Sequence, residues 1–304
     1  MIYIKEELAM PIVNTKEVLQ YAKENKYALG AFNVASIEAI RGIIAAAEEA
    51  NSPVIMEFAE SHLGFVPLDI IGPVMVREAE KATVPVVVHF DHGKDVDLIA
   101  QALELGFSSV MIDGADLPYD ENVELTKKVV GLAHSYGATV EAELGTMGNP
   151  ETSGETNDEL IHSEAIYTDP KVAADFVEKT NVDLLAVSFG TAHGLYIAKP
   201  KLDYKRLDEI AKSVSVPLVM HGGSGLSEEE YKKSIYYGVT KINYYSDLAH
   251  KVAVKAREKL NEAAQKNIDT YSHDISLWTI DIVKEDVMDK MQVFGSTGQA
   301  ERGM

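Results

Sequence analysis

A chain of 304 residues with 48 acidic against 28 basic side chains has a formal charge of -20 at pH 7. That balance excludes a nucleic-acid or anionic-membrane partner, since either calls for a basic surface. There is no cysteine, so disulfides and thiolate–metal bonds are both ruled out, and a transition-metal site has only His and carboxylates to draw on.

At 46% hydrophobic and 25% charged residues the composition is that of an ordinary globular protein, long enough for one large barrel. The opening MIYIKEELAMPIV lacks the basic and apolar regions of a secretory leader, no apolar run reaches membrane-spanning length, and a cytoplasmic location is expected. A small anionic ligand stays open, because a few amides and one cation can hold a phosphate inside an acidic protein.

Taken in order, strands and helices alternate. Thr15 is placed as the N-cap of a helix over KEVLQYAKENK. The strand ALGAFNV ends near Asn33, and Ser36 caps the helix IEAIRGIIAAAEEA. SPVIMEF is a second strand to Phe58, followed by a loop to Phe65 and a helix from about Pro67 to Ala82. VPVVVHFD is the third strand, with helix Lys94–Leu105, strand Ser108–Asp113, helix Asn122–Tyr136 and strand ATVEAELG after it. Residues 146–168 then read as a polar stretch rich in Gly, Pro, Ser and acids, whose length predicts a lid. Asp169 and Pro170 open the next helix as cap and first-turn proline. VDLLAVSFG, VPLVMHGG and VTKINYY are strands six to eight, separated by helices at Tyr204–Ser213 and Ser227–Tyr237. One long helix and another near Ile282–Met291 finish the chain. No linker or second core appears, so residues 1–304 are read as one α/β domain, a (β/α)8 TIM barrel with extra C-terminal helices. The rival, a doubly wound sheet, lacks both GxGxxG and a Walker loop.

The chemistry gathers at strand ends. VVVHFDHG packs His89, Asp91 and His92 behind a β-branched run; alternation puts His89 and Asp91 on one face, and His92 begins the turn. SFGTAHGLY adds His193 and Gly194 after strand six, and PLVMHGGSG adds His221, Gly222, Gly223 and Ser224 after strand seven. Three imidazoles from three strand ends can converge on a divalent ion and leave positions for substrate oxygens. HGGSG before a helix, with Asn243 and Ser246 in NYYSD, supplies amides and hydroxyls for a phosphate. His62, His134, His162 and His250 lack such context and are read as surface residues.

VVVHFDHG, VEAELG, SFGTAHGLY and HGGSG, in this order and at this spacing, resemble the class II metal-dependent ketose-bisphosphate aldolases, with similarity from about Thr15 to Gly298. The resemblance implies reversible cleavage of a fructose or tagatose 1,6-bisphosphate to dihydroxyacetone phosphate and glyceraldehyde 3-phosphate. It implies Zn2+ on His92, His193 and His221, with Glu143 as an alternative or supporting ligand, and a monovalent cation, Na+ or K+, nearby. Asp91 matches the residue that exchanges a proton with the C4 hydroxyl. Gly194, Gly222, Ser224, Asn243 and Ser246 match the positions that hold the C1 phosphate. His89 is given an orienting role, and Asn33 and Tyr245 belong to the pocket. Counting along the lid brings Glu151 to the place of the acid that protonates the intermediate, with Glu155 and Glu159 in competition. A sugar phosphate is thus the partner, and a homodimer or homotetramer the assembly.

The chain also departs from the family. Where the fructose branch has Asn-x-Asp-Thr, the sequence is Asn243-Tyr244-Tyr245-Ser246; where many members have Asp-Pro-Arg, it has Tyr271-Ser272-His273; and Ala59 stands where a hydroxyl is common. The arginines, Arg41, Arg77, Arg206, Arg257 and Arg302, fall on no strand end, which leaves Arg302 or Lys251 of a neighbouring subunit to meet a second phosphate. A ketose 1-phosphate with an unphosphorylated distal end is therefore an alternative substrate. The rival classes are a Schiff-base aldolase on Lys241, a metal-dependent hydrolase, for which the HxH pair is missing, and an inactive sugar-phosphate-binding barrel.

Overall fold

The computed structural model describes residues 12–145, 167–194 and 200–300. Eight parallel strands close in sequence order into a barrel: β1 Leu29–Asn33, β2 Val54–Ala59, β3 Val86–Gly93, β4 Ser109–Ile112, β5 Thr139–Leu144, β6 Leu184–Val187, β7 Leu218–Met220 and β8 Val239–Tyr244. Between them run α1 Thr15–Asn25, before β1, then α2 Ile37–Glu49, α3 Leu68–Lys81, α4 Val96–Glu104, α5 Tyr119–Ser135, α6 Pro170–Thr180, α7 Tyr204–Ser213 and α8 Glu228–Tyr236. After β8 come α9 Ser246–Gln265 and α10 Ser272–Phe294. The expected (β/α)8 barrel with added C-terminal helices is the fold found. No helix among the described residues is long and apolar enough to cross a membrane.

Because side chains alternate along each strand, one set fills the shaft and the other meets the helices. The outward set (Phe32, Met56, Val88, Val110, Val140, Leu185 and others) packs with the helices into the larger core. The inward set is graded. At the N-terminal end of the barrel Leu29, Ile55, Val87, Leu184 and Val219 are apolar, and Val18, Leu19 and Ala22 of α1 close that end. One level higher the shaft turns ionic, with Glu57, His89, Glu141 and Lys241 fully buried. Asn33, Asp91, Glu143 and Asn243 end the inward rows at the C-terminal mouth.

Two boundaries differ from the sequence reading. The N-cap of α1 is Asn14, whose Oδ1 accepts the Glu17 N–H at 3.1 Å; Thr15 is inside and buried, its hydroxyl 2.6 Å from that of Thr139. The last helix starts at Ser272, ten residues before the apolar periodicity at Ile282 becomes visible. The break from α9 falls at Asn267, in the left-handed region at φ 52°, and Asp274 accepts the Tyr271 N–H at 2.8 Å to open α10. Helix α10 lies against α2 so closely that a Cβ on Gly42 would stand 2.7 Å from Val283.

Candidate active site

The β3 end is irregular. His92 lies in the left-handed region, φ 48°, and the β3–β4 register shifts between Phe90 and Gly93. The strand thus runs through His92 to Gly93 rather than turning there. This bulge leaves Asp91 facing the shaft while re-aiming His92 at the mouth. There His92, His193 and His221 each bring one ring nitrogen within 4.8 Å of the others.

Their outer nitrogens are fixed by carboxylates: His92 Nδ1 is 3.0 Å from Asp113 Oδ2, and His221 Nε2 is 2.7 Å from Glu141 Oε1. An ionised carboxylate only accepts, so the N–H sits on those outer nitrogens, and Nε2 of His92 and Nδ1 of His221 face each other at 2.8 Å. Two lone pairs at that separation repel unless positive charge stands between them. Burial pushes the His92 imidazole down, but Asp91 and Asp113 more than reverse this, to about 10, so the gap favours positive charge. Burial and the charge on His92 hold His193 at about 3, and His221 is lowered for the same reasons.

Glu143 adds a buried Oε2 without a hydrogen-bond partner among the described residues, 3.7 Å from His221 Nδ1. Burial, then Asp113, push its carboxyl up to about 8, as for an anion short of a cation. Three imidazole nitrogens, those of His92 and His221 with tautomers set from behind, and one orphaned carboxylate oxygen fit a divalent metal. Glu57, His89 and Asp91 form another donor group, but the Lys241 ammonium already stands 3.3 Å from Glu57.

Asp91 is buried beside this trio. Asn33 Nδ2 donates to its Oδ2 at 3.0 Å and Asn243 Nδ2 to its Oδ1 at 3.1 Å. Burial would raise its carboxyl, yet His92 and Lys241 hold it far below the carboxylate range, so it is ionised. The Asn243 amide, expected at a phosphate, is turned to Asp91, and its buried Oδ1 has no partner among the described residues. His89 sits one layer below, its Nδ1 2.8 Å from Ser109 Oγ.

The glycine loop lies alongside. Gly222, at φ 63°, passes so near the backbone of Ala192 that a Cβ there would fall 2.4 Å from the Ala192 carbonyl oxygen, which brings HGGSG up to His193 and Gly194. Ser224 Oγ accepts the Tyr245 N–H at 3.3 Å, joining this loop to the first turn of α9 at Ser246. Tyr245 does not stand alone. Its ring centroid is 4.6 Å from that of His62, which lies tilted in turn against Phe65 at 5.3 Å.

His62 is therefore no surface residue. It is 5% exposed, with Nδ1 3.3 Å from the Val34 carbonyl oxygen, because the loop after β2 folds into a short 3-10 helix, Glu60–Gly64, that turns the ring inward. His134 and His250 are exposed, as expected. His162, Glu151, Glu155, Glu159 and most of the expected lid fall outside the described residues, as does Arg302. Lys251 is engaged within its own chain, 2.8 Å from Asp286 and 2.9 Å from Asp247. Lys241 is fully buried and ion-paired with Glu141 at 2.8 Å; against the desolvation that lowers it, Glu141 and Glu57 raise its pKa, so it is an ammonium and no Schiff-base nucleophile.

Sequence reasoning passed over Glu57, Glu141 and Asp113. The signal was present: an acid in or at the end of each apolar run, Glu57 in VIMEF, Glu141 beside Glu143 in TVEAEL and Asp113 after SSVMI, is out of place unless a cation or imidazole meets it.

Fold and site together define a (β/α)8 barrel with three imidazoles that could hold a divalent ion at its C-terminal mouth, beside an ionised carboxylate. Comparison with known proteins agrees: the class II fructose-bisphosphate aldolase family matches residues 13–299, and the chain belongs to that family. A relative in Bacillus subtilis named "Probable fructose-bisphosphate aldolase" is 42% identical over 295 residues, 96% of this chain and 100% of that one. The fructose-bisphosphate aldolase of Staphylococcus epidermidis is 38% identical over 297 residues, again 96% and 100%. The crystal structure of the YdjI aldolase from Escherichia coli K12 superposes with a TM-score of 0.84 at 36% identity, covering 95% of this chain and 99% of that one.

Proposed function

We propose that the chain catalyses zinc-dependent, reversible aldol cleavage of a ketose bisphosphate, of the fructose or tagatose 1,6-bisphosphate type, to dihydroxyacetone phosphate and an aldehyde, glyceraldehyde 3-phosphate. The observation that carries this is the juxtaposition of the His92–His193–His221 trio with Asp91, an ionised carboxylate held by one amide on each oxygen. A dication bound by the three imidazoles, with Glu143 in reserve, would polarise the C2 carbonyl and draw off the electrons of the breaking C3–C4 bond. Asp91 takes the C4 hydroxyl proton. Its amide clamp fixes which lone pairs face the substrate, so that proton transfer starts from an aligned geometry. Gly194, Gly222, Ser224 and Ser246 border one side of the mouth and are the proposed C1-phosphate cradle, with Asn243 at its edge; a monovalent cation would be drawn to the Asn243 Oδ1. The acid that returns a proton to C3 is assigned to Glu151 in the segment after β5.

A second reading concerns the distal end. Tyr245 and His62 lie two residues past Asn243 and against Val34, next to the two amides that hold Asp91, so the sugar beyond C4 meets this aromatic wall. Burial keeps the His62 imidazole below its ordinary value of 6.5, hence neutral, and an aromatic face carries the wrong partial charge for a phosphate. The wall favours a ketose 1-phosphate whose distal end is uncharged.

A condensation screen tests both. Dihydroxyacetone phosphate is offered with glyceraldehyde 3-phosphate or with unphosphorylated aldehydes, and kcat/KM compared, before and after chelation. Metal-dependent condensation is expected. Full activity without metal, together with substrate-dependent borohydride inactivation, would replace the reading with an imine mechanism. Binding without turnover of any ketose phosphate would make the barrel a sensor. A preference for glyceraldehyde 3-phosphate beyond roughly a hundredfold, the scale of one charged contact, would reject the second reading.

A further inference from the structure

The ionic layer of the shaft does not balance. Glu57, His89, Glu141 and Lys241 are fully buried on β2, β3, β5 and β8, with Asp91 next above His89. The Lys241 ammonium gives its hydrogen bond to Glu141 at 2.8 Å; Glu141 also accepts from His221 at 2.7 Å. Asp91 has its two amides. Glu57 has neither: Lys241 is 3.3 Å away without a hydrogen bond, and both Glu57 oxygens lack a hydrogen-bond partner among the described residues. The Nε2 of His89 lacks one too, and one oxygen each of Glu57 and Asp91 lie within 4.8 Å of a His89 ring nitrogen and of each other. Within this layer Glu57, Glu141 and Asp91 thus share one ammonium, and only Asp91 also faces His92 at the mouth. A buried carboxylate without donors is among the costliest groups in a protein, whereas a carboxylic acid is neutral and itself supplies a donor.

We propose that Glu57 is an uncharged, proton-bearing carboxyl in the folded protein and acts as a positioning residue for Asp91. Around His89 the nearer carboxylate is Glu141, its Oε2 3.7 Å from Nε2, and a proton on Glu57 removes one negative charge from this cluster. With Glu57 neutral, the Lys241 charge is matched by Glu141, and Asp91 stays the ionised group facing the mouth. The groups that face Glu57 agree. Burial foremost, then Asp91, then Glu141 push its carboxyl well above 4.5, and Lys241 does not reverse this. His89, held at about 3 by burial and by Lys241, is neutral and adds no counter-charge. The positioning role rests on the reading of Asp91 as the base; the protonation state does not.

The test is Glu57→Gln in the zinc-loaded protein, melted across a series from acidic to mildly alkaline pH. A carboxyl that keeps its proton on folding but loses it on unfolding makes the wild type less stable as pH rises between the two pKa values. The glutamine variant has no such proton, so its Tm should gain on that of the wild type with rising pH. If Glu57 is instead an ionised partner of Lys241, the wild type gains on the variant over the acid range; that result, or parallel curves, overturns the proposal. So does failure of the variant to fold, because the amide is the near isostere of the neutral acid. Isotope-edited infrared spectra of the labelled wild type minus the variant should show a carboxylic-acid band at neutral pH; a carboxylate band alone refutes it. For the positioning role, kcat/KM is followed against pH. The variant should keep the wild-type acid limb and lose the alkaline change that accompanies ionisation beside Asp91. An unaltered alkaline limb rejects that role. Absence of any cleavage by the wild type counts against the aldolase reading, and the Tm slopes still decide Glu57.

Discussion

His92 Nε2 and His221 Nδ1 face each other at 2.8 Å across the mouth of the barrel, each ring anchored from behind by a carboxylate, Asp113 and Glu141. The carboxylates set the tautomers and the barrel sets the spacing, so a cation is the natural occupant of the gap between them.

Chelation should abolish aldol cleavage and lower Tm, because a ligand bound only by the folded state stabilises it in proportion to the logarithm of its free concentration over Kd. Zinc added back should restore both, and His221→Ala should leave less than one bound metal per chain by elemental analysis.

Asp91→Asn should keep its metal and lose about 10²–10⁴-fold in turnover, the contribution of a positioned acid–base group. Asn243→Ala removes one charge-assisted hydrogen bond of roughly 1.5–3 kcal/mol and should cost kcat more than KM. If KM for the sugar phosphate alone responds, the Asn243 amide serves the phosphate rather than Asp91.

Glu141→Gln should weaken metal affinity by about 10–100-fold, as when the carboxylate behind a ligating imidazole is removed. Competition with a fluorescent chelator measures it, and unchanged affinity would show that Glu141 serves Lys241 alone.

Acid sensitivity should trace in part to His89. Its imidazole stays neutral in the fold down to about 3, against an ordinary 6.5, because burial and Lys241 oppose its charge. The unfolded chain takes up that proton first, so stability is lost as pH falls below 6.5 toward 3. His89→Gln should flatten this loss in urea midpoints, and an equally steep variant would place it elsewhere.

Asp286→Asn tests how the far helix supports the site. The Tyr244 hydroxyl lies 2.6 Å from Asp247 and 3.0 Å from Asp286, and Lys251 bonds all three, so α10 is tied to the first turn of α9. A loss of about 1–3 kcal/mol in urea unfolding is expected, with KM for the sugar phosphate raised and metal content unchanged.

The barrel was legible because the strands are short apolar runs, most of them rich in β-branched residues, and the helices between them carry a helical period. The trio was legible because three imidazoles, each followed by glycine, stand at strand ends. What stayed hidden depends on which way a side chain turns. Asn243 could serve phosphate or Asp91 from the same backbone position, and only the closed barrel decides. His62 read as loop because nothing local announces that a 3-10 turn will bury it under Tyr245. The first half of α10, SHDISLWTID, lacks an apolar stripe, being held by its cap and by continuity with the packed half.

The two amides on Asp91 come from opposite ends of the fold's chain order, Asn33 from β1 and Asn243 from β8, and those are the strands whose pairing shuts the cylinder. Activity is therefore a property of the completed circuit. A nascent chain that has laid down β1 to β7 already owns Asp91 and all three imidazoles, yet the proposed base is held on one side only. Until the last strand zips beside the first, the three imidazoles are present but Asp91 is not yet aimed, so on the proposed mechanism the topology itself withholds chemistry from a half-made barrel.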